Sequence, residues 1–179
     1  MNIALDLGQH LVYVLFEGFK LVDFGVLNLP GAATKAKTLM GRRYEVMRRL
    51  LEGHTLQVCY YEMTDWHMPA LPRESRIAQL IREKKNRVVQ RSLGRLEMAV
   101  EAACFELGVR AVAVKVSDAK QAVAGVKNAP KARVARAVRE LFPDLPAAAT
   151  QDALDAVRVA VWAMSQADPQ LRVRVLERK

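Results

Sequence analysis

Ile3-Ala4-Leu5-Asp6-Leu7-Gly8, followed by Leu11-Val12-Tyr13-Val14-Leu15-Phe16, decides the fold. Ile3, Leu5 and Leu7 alternate with Asn2, Ala4 and Asp6, which is the period of a strand, and Gly8 closes it. Leu11 to Phe16 reads as a second strand, rich in β-branched and aromatic residues. Glu17-Gly18 makes a tight turn into a third, Leu21 to Leu27. Loops this short imply an antiparallel meander.

Asn28 to Gly31 breaks the chain, and a helix is predicted from about Thr34 to Glu52. Leu39, Met40, Val46, Met47, Leu50 and Leu51 form its apolar stripe, and Gly53 stops it. Leu56 to Tyr61 is a fourth strand, ending at Glu62. A strand reached through a helical crossover lies parallel to its partner. A long helix is expected from roughly Asn86 to Leu107, then a fifth strand, Val109 to Val116. Ser117 or Asp118 caps a short helix, Pro130 starts another running to Phe142, and Thr150 caps the last, to about Gln166.

These elements predict one α/β domain over 1–168, a mixed five-stranded sheet flanked by helices. A basic insertion falls at about 63–85 and a basic tail at 169–179, where the stretch from Leu171 reads as a short strand or a disordered end. The chain has 179 residues, 51% apolar and 26% charged, enough for a sizeable core. No apolar run approaches the roughly 18 residues of a membrane span. Met1 to Asp6 lacks a basic n-region, so the expected location is the cytoplasm. Cys59 and Cys104 sit in apolar runs and read as small buried hydrophobes, and His10, His54 and His67 show no zinc-ligand spacing. The net charge of +9 suits a polyanionic partner.

Four acids stand out. Asp6 lies inside an apolar strand on the face of Ala4, where a carboxylate is costly unless compensated by a cation or an ion pair. Glu62 closes the fourth strand; if strands one and four are parallel neighbours, both acids lie at the same end of the sheet. Between Asp152 and Met164 the last helix carries only Asp152, Asp155 and Arg158 as charges. A helix so apolar around its circumference is largely buried. Asp152 and Asp155 share one face near its start, where compensation of the helix dipole explains the first better than the second. Carboxylates crowded into one site need protons or cations between them. Oxygen ligands alone select Mg²⁺ or Mn²⁺, and two such ions about 4 Å apart can drive phosphodiester hydrolysis.

The ordered set Ile3-Ala4-Leu5-Asp6-Leu7-Gly8, Tyr61-Glu62, Ala119-Lys120-Gln121-Ala122-Val123-Ala124-Gly125 with Lys131 after Pro130, and Gln151-Asp152-Ala153-Leu154-Asp155-Ala156 resembles the RuvC Holliday junction resolvases. That resemblance implies a ribonuclease H-like fold. It also implies a homodimeric endonuclease of DNA recombination and repair that takes two Mg²⁺ per active site, with Mn²⁺ as a substitute. The enzyme would nick four-way junctions symmetrically and leave 5′-phosphates. Asp6, Glu62, Asp152 and Asp155 would be the metal ligands, and Lys120 and Lys131 would lie near the scissile phosphate. The chain has Asp6-Leu7-Gly8 where the family usually has Asp-Pro-Gly, and its segment after Glu62 is longer. The family places an aromatic wedge there; Trp66 is the candidate, with His67 beside it.

Positive charge is concentrated next to Glu62. Arg73, Arg76, Arg82, Lys84, Lys85, Arg87, Arg91 and Arg95 are opposed only by Glu74 and Glu83, which suits an arm or helix start tracking a phosphate backbone. Arg42, Arg43, Arg48 and Arg49 form a second patch that reads more as ordinary surface. Three rivals remain: another ribonuclease H-fold nuclease acting on flaps, branched DNA or RNA–DNA hybrids; a non-catalytic nucleic-acid-binding module; and an ATPase of the actin and sugar-kinase type. The last needs a second domain and a Thr or Ser soon after Gly8, where this chain has Gln9-His10.

Overall fold

Strands β1 (Asn2–Leu7), β2 (His10–Glu17) and β3 (Lys20–Asn28) form the expected antiparallel meander. Gly18 takes a positive φ of 56° in the turn between β2 and β3, a conformation that costs glycine nothing. The structure, a computed structural model, describes residues 1–8, 10–29, 36–63 and 76–167, and gives the backbone alone for 36–38 and 76–89.

Helix α1 (Ala36–Glu52) carries the chain to β4 (Val58–Met63), which pairs parallel with β1. Helix α2 (Arg76–Glu106) then leads to β5 (Arg110–Lys115), parallel to β4. The sheet order is β3-β2-β1-β4-β5, so β1 lies at the centre. Three helices complete the fold: α3 (Val116–Ala124), α4 (Lys131–Leu141) and α5 (Gln151–Ala167).

Alternation along β1 divides the core in two. Ile3, Leu5 and Leu7 pack with Met47 and Leu51 of α1 and Leu96, Val100 and Cys104 of α2. Ala4, on the other face, packs with Val12, Val14 and Val157, Ala160 and Val161 of α5. Every residue of α5 from Ala153 to Val161 is buried, as its composition predicts. Each such Val or Leu withdrawn from water contributes roughly 1.5–3 kcal/mol before entropy is counted. Cys59 and Cys104 are free, buried thiols within this packing.

Two boundaries differ from expectation. Helix α2 begins at Arg76, not near Asn86, so the basic run from Arg76 onward is helical rather than an extended arm. Lys, Arg, Glu and Gln are good helix formers, and Ile77, Leu80, Ile81 and Val88 recur at helical spacing. Neither Ser117 nor Asp118 caps α3: the helix starts at Val116 directly off β5, with Lys115 at the cap position and no side-chain cap bond. Trp66, His67, Arg73 and the 169–179 tail lie outside the described residues. No helix among the described residues is long and apolar enough to cross a membrane.

Candidate active site

The parallel register of β1 and β4 runs from Asn2–Val58 to Leu5–Tyr61, so Asp6 and Glu62 follow next to each other at the strand ends. Glu62 is also paired in register with Val114 of β5. Both acids project to the α5 side, the face shared with Ala4 and Tyr60.

Helix α5 supplies the other acids. Thr150 caps it: the Ala153 N–H donates to Thr150 Oγ1 at 3.2 Å and the Leu154 N–H to the Thr150 carbonyl at 3.1 Å. The capped start of the helix presents Asp152, in its first turn, and Asp155, at the start of the second, to the strand ends. Asp6, Asp152 and Asp155 each offer a carboxylate oxygen within 4.8 Å of the others. Asp152 is exposed and Asp155 is buried, so the group opens to solvent on one side.

Glu62 is held differently. Arg158, only 2% exposed, donates Nη2 to Glu62 Oε2 at 2.5 Å, and its Nη1 forms an ion pair with Asp155 Oδ1 at 2.8 Å. Gln151 Nε2 also reaches Asp155 Oδ1, at 3.3 Å. Lys131, the first residue of α4, places its exposed Nζ 3.8 Å from Asp155 Oδ2. Lys120 is half-buried on α3, and no hydrogen bond or ion pair joins it to the four acids among the described residues. Arg158 is the site residue that sequence reasoning missed. Its signal was present: an arginine alone among apolar residues, three positions after Asp155 on the same helix face.

The site's electrostatics follow from this crowding. Burial first, then the charges of Glu62, Asp155 and Asp152, push the Asp6 carboxyl up to about 7, against a smaller pull from Arg158. Burial also raises Glu62, opposed by Arg158 and Lys131. A group of oxygen donors whose burial and mutual repulsion hold a proton on one of them fits a hard divalent cation in the proton's place. On the same side of the sheet the Tyr60 ring lies 6.3 Å from Trp162 and 6.0 Å from Phe16.

The second basic patch is ordinary helix surface. Arg48 pairs with Glu45 and Glu52, and Arg49 with Glu45, on the same helix. Exposed pairs of this kind contribute little. Arg43 reaches Ser92 on α2 and is spent on helix packing.

No family profile and no curated protein matches the chain. Solved structures do. Thermus thermophilus RuvC superposes with a TM-score of 0.68 at 23% identity, over 93% of this chain and 95% of that one. The chain has the RuvC fold. T. thermophilus RuvC in complex with a Holliday junction substrate superposes with the same TM-score of 0.68 at 23% identity, over 95% of this chain and 96% of that one. The yeast mitochondrial Holliday junction resolvase Ydc2 superposes with a TM-score of 0.59 at 13% identity, over 98% of this chain and 80% of its own. The RuvC likeness bears out the ribonuclease H-like mixed sheet expected from sequence.

Proposed function

We propose that the chain is a divalent-metal-dependent endonuclease that nicks four-way DNA junctions in symmetric pairs, acts as a homodimer and leaves 5′-phosphates. Mg²⁺ is the proposed ion, with Mn²⁺ as substitute. The observation that carries this reading is the meeting of Asp6, Asp152 and Asp155 within 4.8 Å at the strand ends, on the fold of RuvC. The four-way junction is favoured as substrate because a RuvC of this fold has been seen with one.

Asp6, Asp152 and Asp155 would hold the ion, with Glu62 beside them. When bound, divalent ions lower the pKa of a water and offset charge on the leaving oxygen. The chain's own groups do the rest. Lys131, with its exposed ammonium at the rim of the acid group, would bind the scissile phosphate and offset its developing charge. Lys120, from the helix that leaves β5 at the same end of the sheet, is proposed for the flanking phosphate. The run of Arg73, Arg76, Lys84, Lys85 and Arg87 would follow the phosphate backbone, and Trp66 would wedge into the junction. Phe105 and Met98, 89% and 62% exposed and seven residues apart on α2, supply apolar surface for a second copy.

The test is to incubate the chain with synthetic four-way junctions, flaps, duplexes and RNA–DNA hybrids, with and without Mg²⁺. Paired nicks in junctions alone, lost in Asp6→Asn and Asp155→Asn, are expected. Preferential cutting of flaps or hybrids would move the chain to another nuclease activity of the same fold. Tight junction binding without cleavage in Mg²⁺ or Mn²⁺ would make it a binding module.

A further inference from the structure

We infer that the buried Arg158 guanidinium serves as a fixed cation in the acid group, taking the place of a second divalent ion, so that the site holds one exchangeable ion on Asp6, Asp152 and Asp155. The inference rests on the nuclease reading and deepens it.

The geometry divides the four acids into two classes. Asp6, Asp152 and Asp155 meet within 4.8 Å, and Glu62 is not part of that group. Glu62 is instead bonded to Arg158, whose Nη2 and Nη1 bridge it to Asp155. The guanidinium thus lies between Glu62 and Asp155, where an ion shared by those two acids would need to lie. Arginine keeps its charge at any working pH, so it cannot step aside by losing a proton. Nor does its position offer an easy exit: the residue is 2% exposed and anchored in the middle of the buried α5. A divalent ion ligated by Glu62 Oε2 would have to compete with the 2.5 Å bond, and one on either oxygen would sit close to a buried positive charge.

A purely structural role explains this placement less well. Among the described residues Arg158 Nε is buried without a protein partner, so the guanidinium's bonds go to the site's carboxylates rather than to full satisfaction of its own donors. The fork is aimed at two carboxylates of the site rather than at the packing around it. Arg158 acts through Glu62 and Asp155, and is therefore a positioning residue and a counter-charge.

The experiment counts Mn²⁺ bound per chain by titration calorimetry and electron paramagnetic resonance. It uses the full chain as wild type, Arg158→Leu, Arg158→Lys and Glu62→Gln, with folding checked by circular dichroism. One ion is expected for wild type, Arg158→Lys and Glu62→Gln, and two for Arg158→Leu, where removal of the guanidinium frees Glu62. Two ions in the wild type, one of them lost in Glu62→Gln, would overturn the inference and leave the nuclease reading intact. A folded Arg158→Leu that still takes one ion would also overturn it. No Mn²⁺ binding and no cleavage by the wild type would overturn both. If Arg158→Leu does not fold, the wild-type count and the Glu62→Gln count decide.

Discussion

Arg158 of α5 and Glu62 of β4, 96 positions apart in sequence, are joined by a 2.5 Å hydrogen bond between Nη2 and Oε2. The bond fixes the last helix to the end of the sheet at the level of the acids. Its partners are both largely withdrawn from water, with side chains 3% and 16% exposed. Breaking one side of a buried pair leaves an uncompensated charge. Arg158→Met should therefore lower stability at pH 8 by about 3 kcal/mol. Burial already raises the Glu62 carboxyl, and without Arg158 it would rise further, so the loss should shrink toward pH 5 as Glu62 takes a proton. Urea unfolding at the two pH values measures this. The double variant Arg158→Met/Glu62→Gln should recover most of the lost stability, and failure to recover would mean that the guanidinium's packing, not its charge, matters.

Asp6 predicts a conflict between stability and activity. Its carboxyl goes from an ordinary 3.8 to about 7 in the folded chain, chiefly through burial and then through Glu62, Asp155 and Asp152. The folded state therefore holds a proton more tightly than the unfolded state. In the metal-free chain that contribution is full below about pH 4 and is lost as pH rises to about 7, at most about 4 kcal/mol. Asp6→Asn removes the ionisation. It should raise the melting temperature in chelator at pH 8 while abolishing cleavage. A metal-free Asp6→Asn that melts below the wild type at pH 8 would contradict the crowding argument.

The strand pattern of Asn2 to Leu7 was legible because one face had to be apolar and the other had to tolerate Asp6. The same alternation correctly put Asp6 with Ala4, and the burial of α5 was readable from its scarcity of charge. Arg158 was visible as an exception in that helix, but its partner lies on another element, and pairing across the sheet is not written in local spacing. The start of α2 at Arg76 is hard to read because charge-rich helices and charge-rich loops share a composition; the helical recurrence of Ile77, Leu80 and Ile81 is the better guide. The resemblance does not distinguish Lys131 from Lys120, whereas the structure joins only Lys131 to an acid of the site among the described residues.

Lys131 is exposed, and its Nζ stands 3.8 Å from Asp155 Oδ2. An exposed pair of this length adds little to folding. Lys131→Ala should leave stability within about 0.5 kcal/mol. It should slow junction cleavage by roughly tenfold to a hundredfold if the ammonium offsets charge on the phosphate. Lys131→Arg should restore part of the rate. Single-turnover cleavage beside thermal melting separates the two effects, and a stability loss with an unchanged cleavage rate would make Lys131 structural.

Thr150 is a cap with a catalytic consequence. Its Oγ1 accepts the Ala153 N–H at 3.2 Å and sets the first turn, which carries Asp152 and on which the turn bearing Asp155 is built. Thr150→Ala should cost about 1 kcal/mol. Fraying of that turn should also weaken Mn²⁺ binding, whereas Thr150→Ser keeps the hydroxyl and should retain both. Calorimetry on the two variants distinguishes a loosened acid group from a general loss of fold.

Ion binding should itself depend on pH through Asp6. Ligation needs the carboxylate, yet in the metal-free chain Asp6 keeps its proton up to about pH 7. An ion that binds below that value must expel the proton. Apparent Mn²⁺ affinity should then rise by about tenfold per pH unit between pH 5 and 7 and level off above. Calorimetry below pH 7 in buffers of different ionisation enthalpy should detect about one proton released per ion. Asp6→Asn should bind weakly with no such slope. A wild-type affinity flat from pH 5 to 8 would mean that Asp6 is not a ligand, and that the raised carboxyl serves the fold instead.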